Sequence, residues 1–311
     1  MKVDSNKPIT LAFGELLWDV LPSKEVLGGA PGNFAYRLSN LGFPAKVVSR
    51  IGNDLRGEKL SQILSERGLD LSLLQMDSKL PTGFVDVRLN ENGEPDFTIN
   101  RGVAYDQIEL TEELEKVAAS CKVLYFGTLV QRSNKSRETI LKLIDMAKDA
   151  TKFIDLNLRK DCFSAETVLS SLERTNILKL NKDEASAVSK LCGFDAPESK
   201  AFARKVISSF DIDICIITQG ENGAYALNKK SEEVVAQGCT VKVVDTIGSG
   251  DGFSAGFVSG FLSGLSLNEC CRIGNKIGAI TATRTGGMPI ITFDEIEDFE
   301  SNNSTRSASI S

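Results

Sequence analysis

The segment best suited to chemistry is a glycine-rich turn that ends in an acidic residue. It runs Asp245-Thr246-Ile247-Gly248-Ser249-Gly250-Asp251, and a helix-like stretch follows it. Small residues at a helix start leave consecutive backbone N–H groups free to hold phosphate oxygens, aided by the helix dipole. An acidic side chain there would repel phosphate, unless Asp251 faces an acceptor hydroxyl and takes its proton. The candidate catalytic residues are therefore Gly248, Ser249, Gly250 and Asp251.

A structural interpretation of the same segment is also open. The glycines would form a flexible turn, and Asp251 would be a helix N-cap, a position that favours aspartate. The following helix carries glycine at every fourth position: Gly252, Gly256, Gly260 and Gly264. Each glycine destabilises a helix by roughly 1 kcal/mol relative to alanine, so this row of small residues implies that the helix must be placed accurately. Close packing against another element would be a sufficient reason for that requirement.

A second glycine-rich segment, Gly28-Gly29-Ala30-Pro31-Gly32-Asn33, leads into another predicted helix. Its backbone could approach a polar ligand closely, and the Asn33 amide is both donor and acceptor, which suits sugar hydroxyls. A plain Gly/Pro loop with Asn33 as helix cap is an equal alternative. Neither segment is a standard nucleotide fingerprint, because Glu58 stands where a P-loop starting at Gly52 needs lysine.

Taken together, the two segments resemble the two signatures of the ribokinase-like (PfkB) carbohydrate kinase family. They lie about 220 positions apart in the family's order, and the resemblance covers nearly the whole chain. Gly14-Glu15 with Asp19 is similar to the start of bacterial fructokinases, which implies sugar contacts for Asp19, Gly29 and Asn33. Arg101 resembles a lid arginine that reaches toward substrate, although a charged residue in a lid hairpin is more often just solvated.

The resemblance also implies a phosphate side. Asp155-x-Asn157-x-Arg159 is similar to the family's Asp-x-Asn-x-Arg strand end, which puts Asn157 and Arg159 near the phosphoryl path. Asn181-x-x-Glu184 matches the family's Asn-x-x-Glu motif, in which Glu184 would position Mg²⁺, often through water. The same spacing is an ordinary helix capping box, and both roles are compatible.

For the nucleotide itself, the resemblance extends to the second half of the chain. Thr218-x-Gly220-x-x-Gly223 resembles the strand-turn that lies along the nucleotide, and Asn275 resembles a residue lining the adenine pocket. The turn that ends in Gly287 departs from the family's usual Gly-Ala ending, which puts the adenine side in doubt. Asp245 matches a ligand of a monovalent cation such as K⁺, whose other ligands would be mostly backbone carbonyls.

The family resemblance implies that Mg-ATP donates its γ-phosphoryl group to a sugar hydroxyl, with Asp251 as general base. The substrate we expect is fructose, phosphorylated at the 6-hydroxyl; a ribokinase or 2-keto-3-deoxygluconate kinase is the nearest alternative. Two hypotheses from other functional classes are a non-catalytic sugar or nucleotide sensor and an NAD-dependent dehydrogenase. The helix N-terminus is expected to favour the ionised Asp251 carboxylate and so to make it a weak base.

Short apolar runs that alternate with amphipathic stretches predict a parallel sheet sandwiched by helices, an α/β fold. Segments at about 15–27 and 83–105 break this rhythm and predict a small β-sheet lid, with Asn92-Gly93 as a hairpin turn. Residues 224–227, 232–235 and 240–244 predict a short meander. We expect one kinase domain over 1–300 and a disordered Ser/Asn-rich tail over 301–311.

Composition narrows the partners and the compartment. The net charge is -6 without a basic block, which argues against nucleic acid, and no apolar run is long enough to span a membrane. The chain has no histidine, and its seven cysteines lack Cys-x-x-Cys spacing, which excludes His-based triads and predicts reduced thiols. The sequence predicts a cytoplasmic protein whose partners are a small-molecule sugar and ATP. An exposed lid face could pair with a second subunit as a homodimer.

Overall fold

The computed structural model describes residues 7–21, 24–89, 95–292 and 294–299. The strands in these ranges are β1 (Thr10–Phe13), β2 (Leu17–Leu21), β3 (Lys24–Gly28), β4 (Ala45–Gly52), β5 (Leu74–Asp77), β6 (Gly83–Leu89), β7 (Pro95–Ile99), β8 (Val123–Phe126), β9 (Thr151–Asp155), β10 (Ile177–Asn181), β11 (Ile214–Thr218), β12 (Ala224–Asn228) and β13 (Glu233–Ala236). The named α-helices are α1 (Ala30–Asn40), α2 (Leu55–Glu66), α3 (Glu112–Ala118), α4 (Asn134–Met146), α5 (Ala165–Leu172), α6 (Lys182–Cys192), α7 (Ser199–Phe210), α8 (Ser249–Leu262) and α9 (Leu267–Ala282).

The main sheet has the strand order β13-β12-β11-β10-β9-β8-β1-β4-β5. The seven strands from β11 to β5 are parallel, while β12 and β13 extend one edge antiparallel. Helices cover both faces of parallel strands, so such strands are near-continuous apolar runs. The predicted sheet sandwiched by helices is confirmed.

Alternate residues of the inner strands of the main sheet enter two separate cores. On β1, Leu11 and Phe13 join the core under α3 to α7, whereas Ala12 joins the core under α1, α2, α8 and α9. An aromatic row runs through the second core, with Phe34 of α1 stacked on Tyr125 of β8 at a ring-centroid distance of 3.9 Å. This packing fixes α1 and α8 on the same face of the sheet.

A separate four-stranded sheet, in the order β3-β2-β6-β7, forms the predicted lid. Strand β2 pairs antiparallel with β3 and parallel with β6, and β6 pairs antiparallel with β7 as a hairpin. The predicted Asn92-Gly93 turn at the hairpin tip lies outside the described residues. The lid ends earlier than predicted, because residues 104–107 form a 3₁₀ turn.

The glycine ridge of α8 lies against α9. A Cβ atom built on Gly256 would lie 2.8 Å from the Ile273 carbonyl oxygen, and one on Gly260 would lie 3.2 Å from Cys270 Cα. The helix ends before Gly264, which takes a φ of +73°. The close approach that the ridge predicts therefore fixes α8 in position.

Two expectations about the later part of the chain have different outcomes. The predicted strand at 240–244 is wrong, because β13 ends at Ala236 and the chain leaves the sheet. The predicted disordered tail at 301–311 lies outside the described residues. In the ranges that the structure covers, no helix has the length and apolar content that crossing a bilayer requires.

Candidate active site

A cavity of about 540 Å³ opens where the carboxyl ends of the parallel strands meet the lid. Leu17, Val85 and Ile99 line it from the lid, opposite the ends of β10 and β11. Open α/β sheets bind their ligands at this edge. Most predicted site residues lie along it: Asp19, Gly29, Asn33, Asn157, Arg159, Asn181, Glu184, Thr218, Gly248, Gly250 and Asp251.

Asp251 lies in the first turn of α8 and contacts α1 across the cavity floor. Its Oδ2 accepts a hydrogen bond of 2.8 Å from Asn33 Nδ2. The N-cap of α8 is Gly248, and no side chain caps this helix. The interpretation of Asp251 as an N-cap is therefore wrong. Asn33 is not a cap either, because α1 begins at Ala30 and has Gly29 as its N-cap.

Burial, reinforced by the charge of Asp155, raises the pKa of Asp251 to about 6. The hydrogen bond from Asn33 and the charges of Lys179 and Arg159 act in the lowering direction. The expectation of a weak base is wrong, since desolvation outweighs the helix N-terminus. Such a carboxylate is mostly ionised at pH 7 and accepts a proton more readily than an ordinary aspartate.

Three glycines allow the chain to pass closely around this pair. Gly29 has a φ of +111°, and a Cβ there would lie 2.4 Å from the Glu15 carbonyl oxygen. Gly248 has a φ of +75°, and its Cβ would lie 2.4 Å from Gly287 Cα. A Cβ on Gly287 would in turn lie 2.3 Å from Asn33 Nδ2. The departure from the family pattern at position 287 thus leaves room for the Asn33 amide.

The backbone N–H groups of the turn are not equivalent. The Ser249 N–H donates to the Thr246 carbonyl at 3.1 Å, and its hydroxyl donates to the Gly278 carbonyl at 3.0 Å. Ser249 therefore does not line the cavity, unlike its two neighbours. In the part of the chain that the structure describes, no backbone hydrogen bond engages the N–H groups of Gly250 and Asp251. These two groups can hold an anion.

A buried ion pair lies beneath the turn. Lys179 Nζ of β10 donates to both carboxylate oxygens of Asp155 on β9, at 3.0 and 2.9 Å. Ser254 of α8 and the Tyr125 hydroxyl donate to the same carboxylate, at 2.9 and 3.3 Å. Sequence reasoning missed Lys179, although a lysine inside the apolar run Ile177–Leu180 was the signal that could have found it.

Two more carboxyl groups lie at the lid end of the cavity. Glu15, which follows β1, is 4% exposed, and its Oε1 accepts the Ala30 N–H at 3.3 Å. Burial raises its pKa to about 7 despite the lowering effects of backbone N–H groups and Arg159. Burial also raises the pKa of Asp19, which Arg159 again lowers. Arg159 therefore acts on the carboxyl groups of the lid end as well as on Asp251, and Glu15 is a site residue that sequence reasoning did not select.

The opposite end of the cavity is formed at the start of α6. Asn181 Oδ1 accepts the Glu184 N–H at 2.9 Å, and Glu184 Oε2 accepts the Asn181 N–H at 2.8 Å, so the predicted capping box is present. Glu184 Oε1 also accepts the Leu158 N–H at 2.8 Å. Asn157 takes a left-handed φ of 44°, a conformation that asparagine adopts more readily than most non-glycine residues.

The remaining predicted residues do not line the cavity. Arg101 donates to the carbonyl of Asp161, and Gly220 and Gly223 border a short turn after β11. The Asn275 amide donates to two carbonyls at the end of β13, at 3.0 and 2.9 Å.

The Asp245 carboxylate also lies outside the cavity wall. It accepts the N–H groups of Ile247 and Gly286 at 3.0 and 2.9 Å. Asp245 thereby ties the turn before α8 to the chain after α9.

The donor set can be tested against Mg²⁺. Within the described ranges, no cluster of three or more acidic or cysteine side chains is placed to hold a metal. Mg²⁺ keeps several waters and is usually bound through one or two carboxylates plus substrate phosphates. The single carboxylate of Glu184, next to the Asn181 side chain, fits such a sparse site.

Comparisons with known proteins agree with this geometry. The probable fructokinase-7 of Arabidopsis thaliana is 28% identical over 330 residues, covering 97% of this chain and 94% of the relative. The fructokinase of Xylella fastidiosa, solved with bound ATP, has a TM-score of 0.84 at 20% identity and covers 96% of this chain and 99% of its own.

A fructokinase of Vibrio cholerae, solved with fructose, ADP and calcium, has a TM-score of 0.80 at 21% identity, covering 95% and 99%. A double mutant of the same enzyme was solved with fructose, ADP and potassium; it has a TM-score of 0.79 at 21% identity, covering 94% and 98%. These similarities confirm the ribokinase-like fold. Residues 7–292 match the description pfkB family carbohydrate kinase, and the chain therefore belongs to that family.

Proposed function

We propose that this chain transfers the γ-phosphoryl group of ATP to the 6-hydroxyl of fructose, with Asp251 as the general base. The observation that carries the proposal is the meeting of Asp251, its partner Asn33 and the unengaged N–H groups of the α8 turn in one cavity. A base and an anion-binding turn side by side are what phosphoryl transfer to a hydroxyl requires.

In the proposed reaction, the sugar oxygen attacks the γ-phosphorus while the bond from phosphorus to the ADP oxygen breaks. The hydroxyl proton passes to the carboxylate of Asp251, which Asn33 holds in orientation from the other side. The N–H groups of Gly250 and Asp251 neutralise charge on the transferred group. Glu184 and Asn181 would hold Mg²⁺, which screens the phosphates.

For the nucleotide end, we retain Asn157, Arg159 and Thr218 as candidate contacts, since all three line the cavity. Three further residues lie outside the cavity wall and are proposed only to shape the chain around the adenine: Gly220, Gly223 and Asn275. Asp245 is proposed as a K⁺ ligand. Its two oxygens accept backbone N–H groups, as those of Glu184 also do, so each carboxylate would bind a cation through its remaining lone pairs.

The charges at the lid end favour an uncharged sugar. Glu15 and Asp19 present carboxyl groups there, and Arg159 is the cationic side chain that lowers the pKa values of both. A substrate carboxylate such as that of 2-keto-3-deoxygluconate would be repelled, whereas the hydroxyls of fructose find acceptors in Asp19 and Asn33. The fructokinase names of the relatives point to the same sugar.

The test is ADP release with Mg-ATP across fructose, ribose, glucose and 2-keto-3-deoxygluconate. We expect the largest kcat/KM for fructose, with the product detected by an enzyme assay specific for fructose 6-phosphate. A larger value for ribose or 2-keto-3-deoxygluconate would overturn the substrate assignment. Tight sugar binding without ADP release would instead identify a sensor.

A further inference from the structure

The buried ion pair between Lys179 and Asp155 is not explained by a contribution to folding stability alone. The pairing of β9 and β10 makes the two residues cross-strand neighbours, and they are 7% and 2% exposed. The strand neighbours Leu178 and Leu180 are fully buried apolar residues. A buried ion pair is often no more stabilising than apolar residues of similar volume, because both charges lose their hydration. A lysine in this strand therefore calls for another reason.

The contacts of the pair point toward the first turn of α8. A Cβ on Gly250 would lie 3.0 Å from Lys179 Nζ, so the ammonium group lies directly against the backbone of the anion-binding turn. One helical turn later, Ser254 Oγ donates to Asp155 Oδ2 at 2.9 Å. The pair thus contacts α8 at two places that flank Asp251, and Lys179 reaches the cavity wall.

We propose that Lys179 and Asp155 are positioning residues for phosphoryl transfer: they hold the first turn of α8 on the sheet and set the charge that Asp251 faces. The proposal rests on the proposed role of Asp251 as base. The Lys179 ammonium group, which lies directly against the turn, favours negative charge on the transferred phosphoryl group, and the paired Asp155 carboxylate acts in the opposite direction.

Several groups face Asp251 from the surrounding elements, and their effects on its pKa differ in sign. Lys179 and Arg159 lower it, Asp155 raises it, and the neutral Asn33 lowers it through its hydrogen bond. From the loop after β1 comes Glu15, itself a buried carboxyl whose pKa Asp251 raises, and from β8 comes the neutral Tyr125 hydroxyl. Removing Lys179 and removing Asp155 should therefore move the Asp251 pKa in opposite directions, which a merely structural role would not do.

The experiment compares Lys179→Met and Asp155→Asn through the pH dependence of kcat with the preferred sugar. We expect the acid limb, near pH 6 in the parent, to move up by about half a pH unit or more in Lys179→Met and down by a similar amount in Asp155→Asn. At its plateau, Lys179→Met should lose at least about tenfold in kcat, less than the 10²- to 10³-fold of an oxyanion donor. Lys142→Met, at an exposed lysine of α4, is the matched control and should behave as the parent.

Circular dichroism and ATP affinity show whether each variant is folded. Folded variants whose acid limbs move in the same direction, or do not move, would overturn the proposal. If Lys179→Met does not fold, Ser254→Ala tests the positioning contact while keeping the pair; we expect kcat to fall by about threefold to tenfold with an unchanged acid limb. Normal turnover in that variant would refute the positioning role.

The role of the base is tested separately with Asp251→Asn. Retention of the acid limb near pH 6 in that variant would sink the base assignment itself, whatever the results at positions 179 and 155.

Discussion

Replacement of Asp251 by asparagine separates its chemistry from its packing. The new side chain keeps the shape of aspartate and can still accept the 2.8 Å hydrogen bond from Asn33. It cannot accept a proton from the substrate. Because Gly248 caps α8, the substitution removes no helix cap. Any loss of activity therefore reports on the carboxylate itself.

The expected loss follows from the role of a general base. Such groups contribute about 10²- to 10⁴-fold, so the barrier to phosphoryl transfer should rise by about 3 to 5 kcal/mol. Stability should change in the opposite sense. A carboxyl group whose pKa is raised from 3.8 to about 6 destabilises the ionised folded state by at most about 3 kcal/mol, so the neutral variant should unfold at the same or a higher temperature at pH 8.

The pH dependence gives a further check. The raised pKa of Asp251 means that parent activity is fully present above pH 7 and is lost as the pH falls through about 6. The folded parent should meanwhile gain stability over the same fall, since the proton binds more tightly to the folded state. Steady-state ADP release from pH 5 to 9 follows the activity, and the unfolding temperature over the same range follows the stability. Calorimetry gives the sugar and ATP affinities. A folded variant that binds both ligands and turns over at the parent rate would refute the assignment of Asp251.

The other substitutions test the partners of Asp251. Asn33→Ala should weaken sugar use much more than ATP binding, because it leaves sugar hydroxyls and the Asp251 carboxylate without their donor; an equal loss of both would indicate a folding defect. Arg159→Ala should lower kcat and move the acid limb to higher pH, because this charge lowers the pKa of Asp251; a changed ranking of sugars would place it in the sugar pocket. Gly287→Ala should displace the Asn33 amide, 2.3 Å from the new Cβ, and cost about 1 to 3 kcal/mol of stability; a parent-like sugar KM would show that the amide can shift freely.

Much of the fold was predictable because its elements have strong local signals. Two of the short apolar runs, at 123–126 and 214–218, coincide with β8 and β11, because strands covered by helices on both faces are apolar along most of their length. The strand predicted at 240–244 failed for the opposite reason. The pattern of residues 240–244 indicates only that this segment could pair with a neighbouring strand. The chain leaves the sheet after Ala236, at the end of β13, so no strand within the described ranges lies beside the segment.

The motifs predicted many of the residues that line the cavity, but they left open the role of individual residues, such as base or helix cap for Asp251. Gly248 and Asp251 lie three positions apart in one continuous motif, so the turn could be recognised directly, but the choice between base and cap depended on which residue begins α8. With Asp251 as the cap, α8 would begin at residue 252, whereas it begins at Ser249; this shift of three residues places Asp251 in the first turn, where its side chain meets α1. Sequence patterns do not resolve helix starts to that accuracy.

Lys179 and Glu15 were missed because their significance depends on tertiary neighbours. A lysine in an apolar strand is a visible anomaly, but its partner follows from the adjacency and register of β9 and β10, which opposes Lys179 to Asp155. The function of the pair depends on one more fact, that α8 packs over the same face and contacts both residues through positions 250 and 254. A charged residue inside an apolar run therefore indicates a candidate site residue. The strand order and the placement of the helices determine which group its charge acts on.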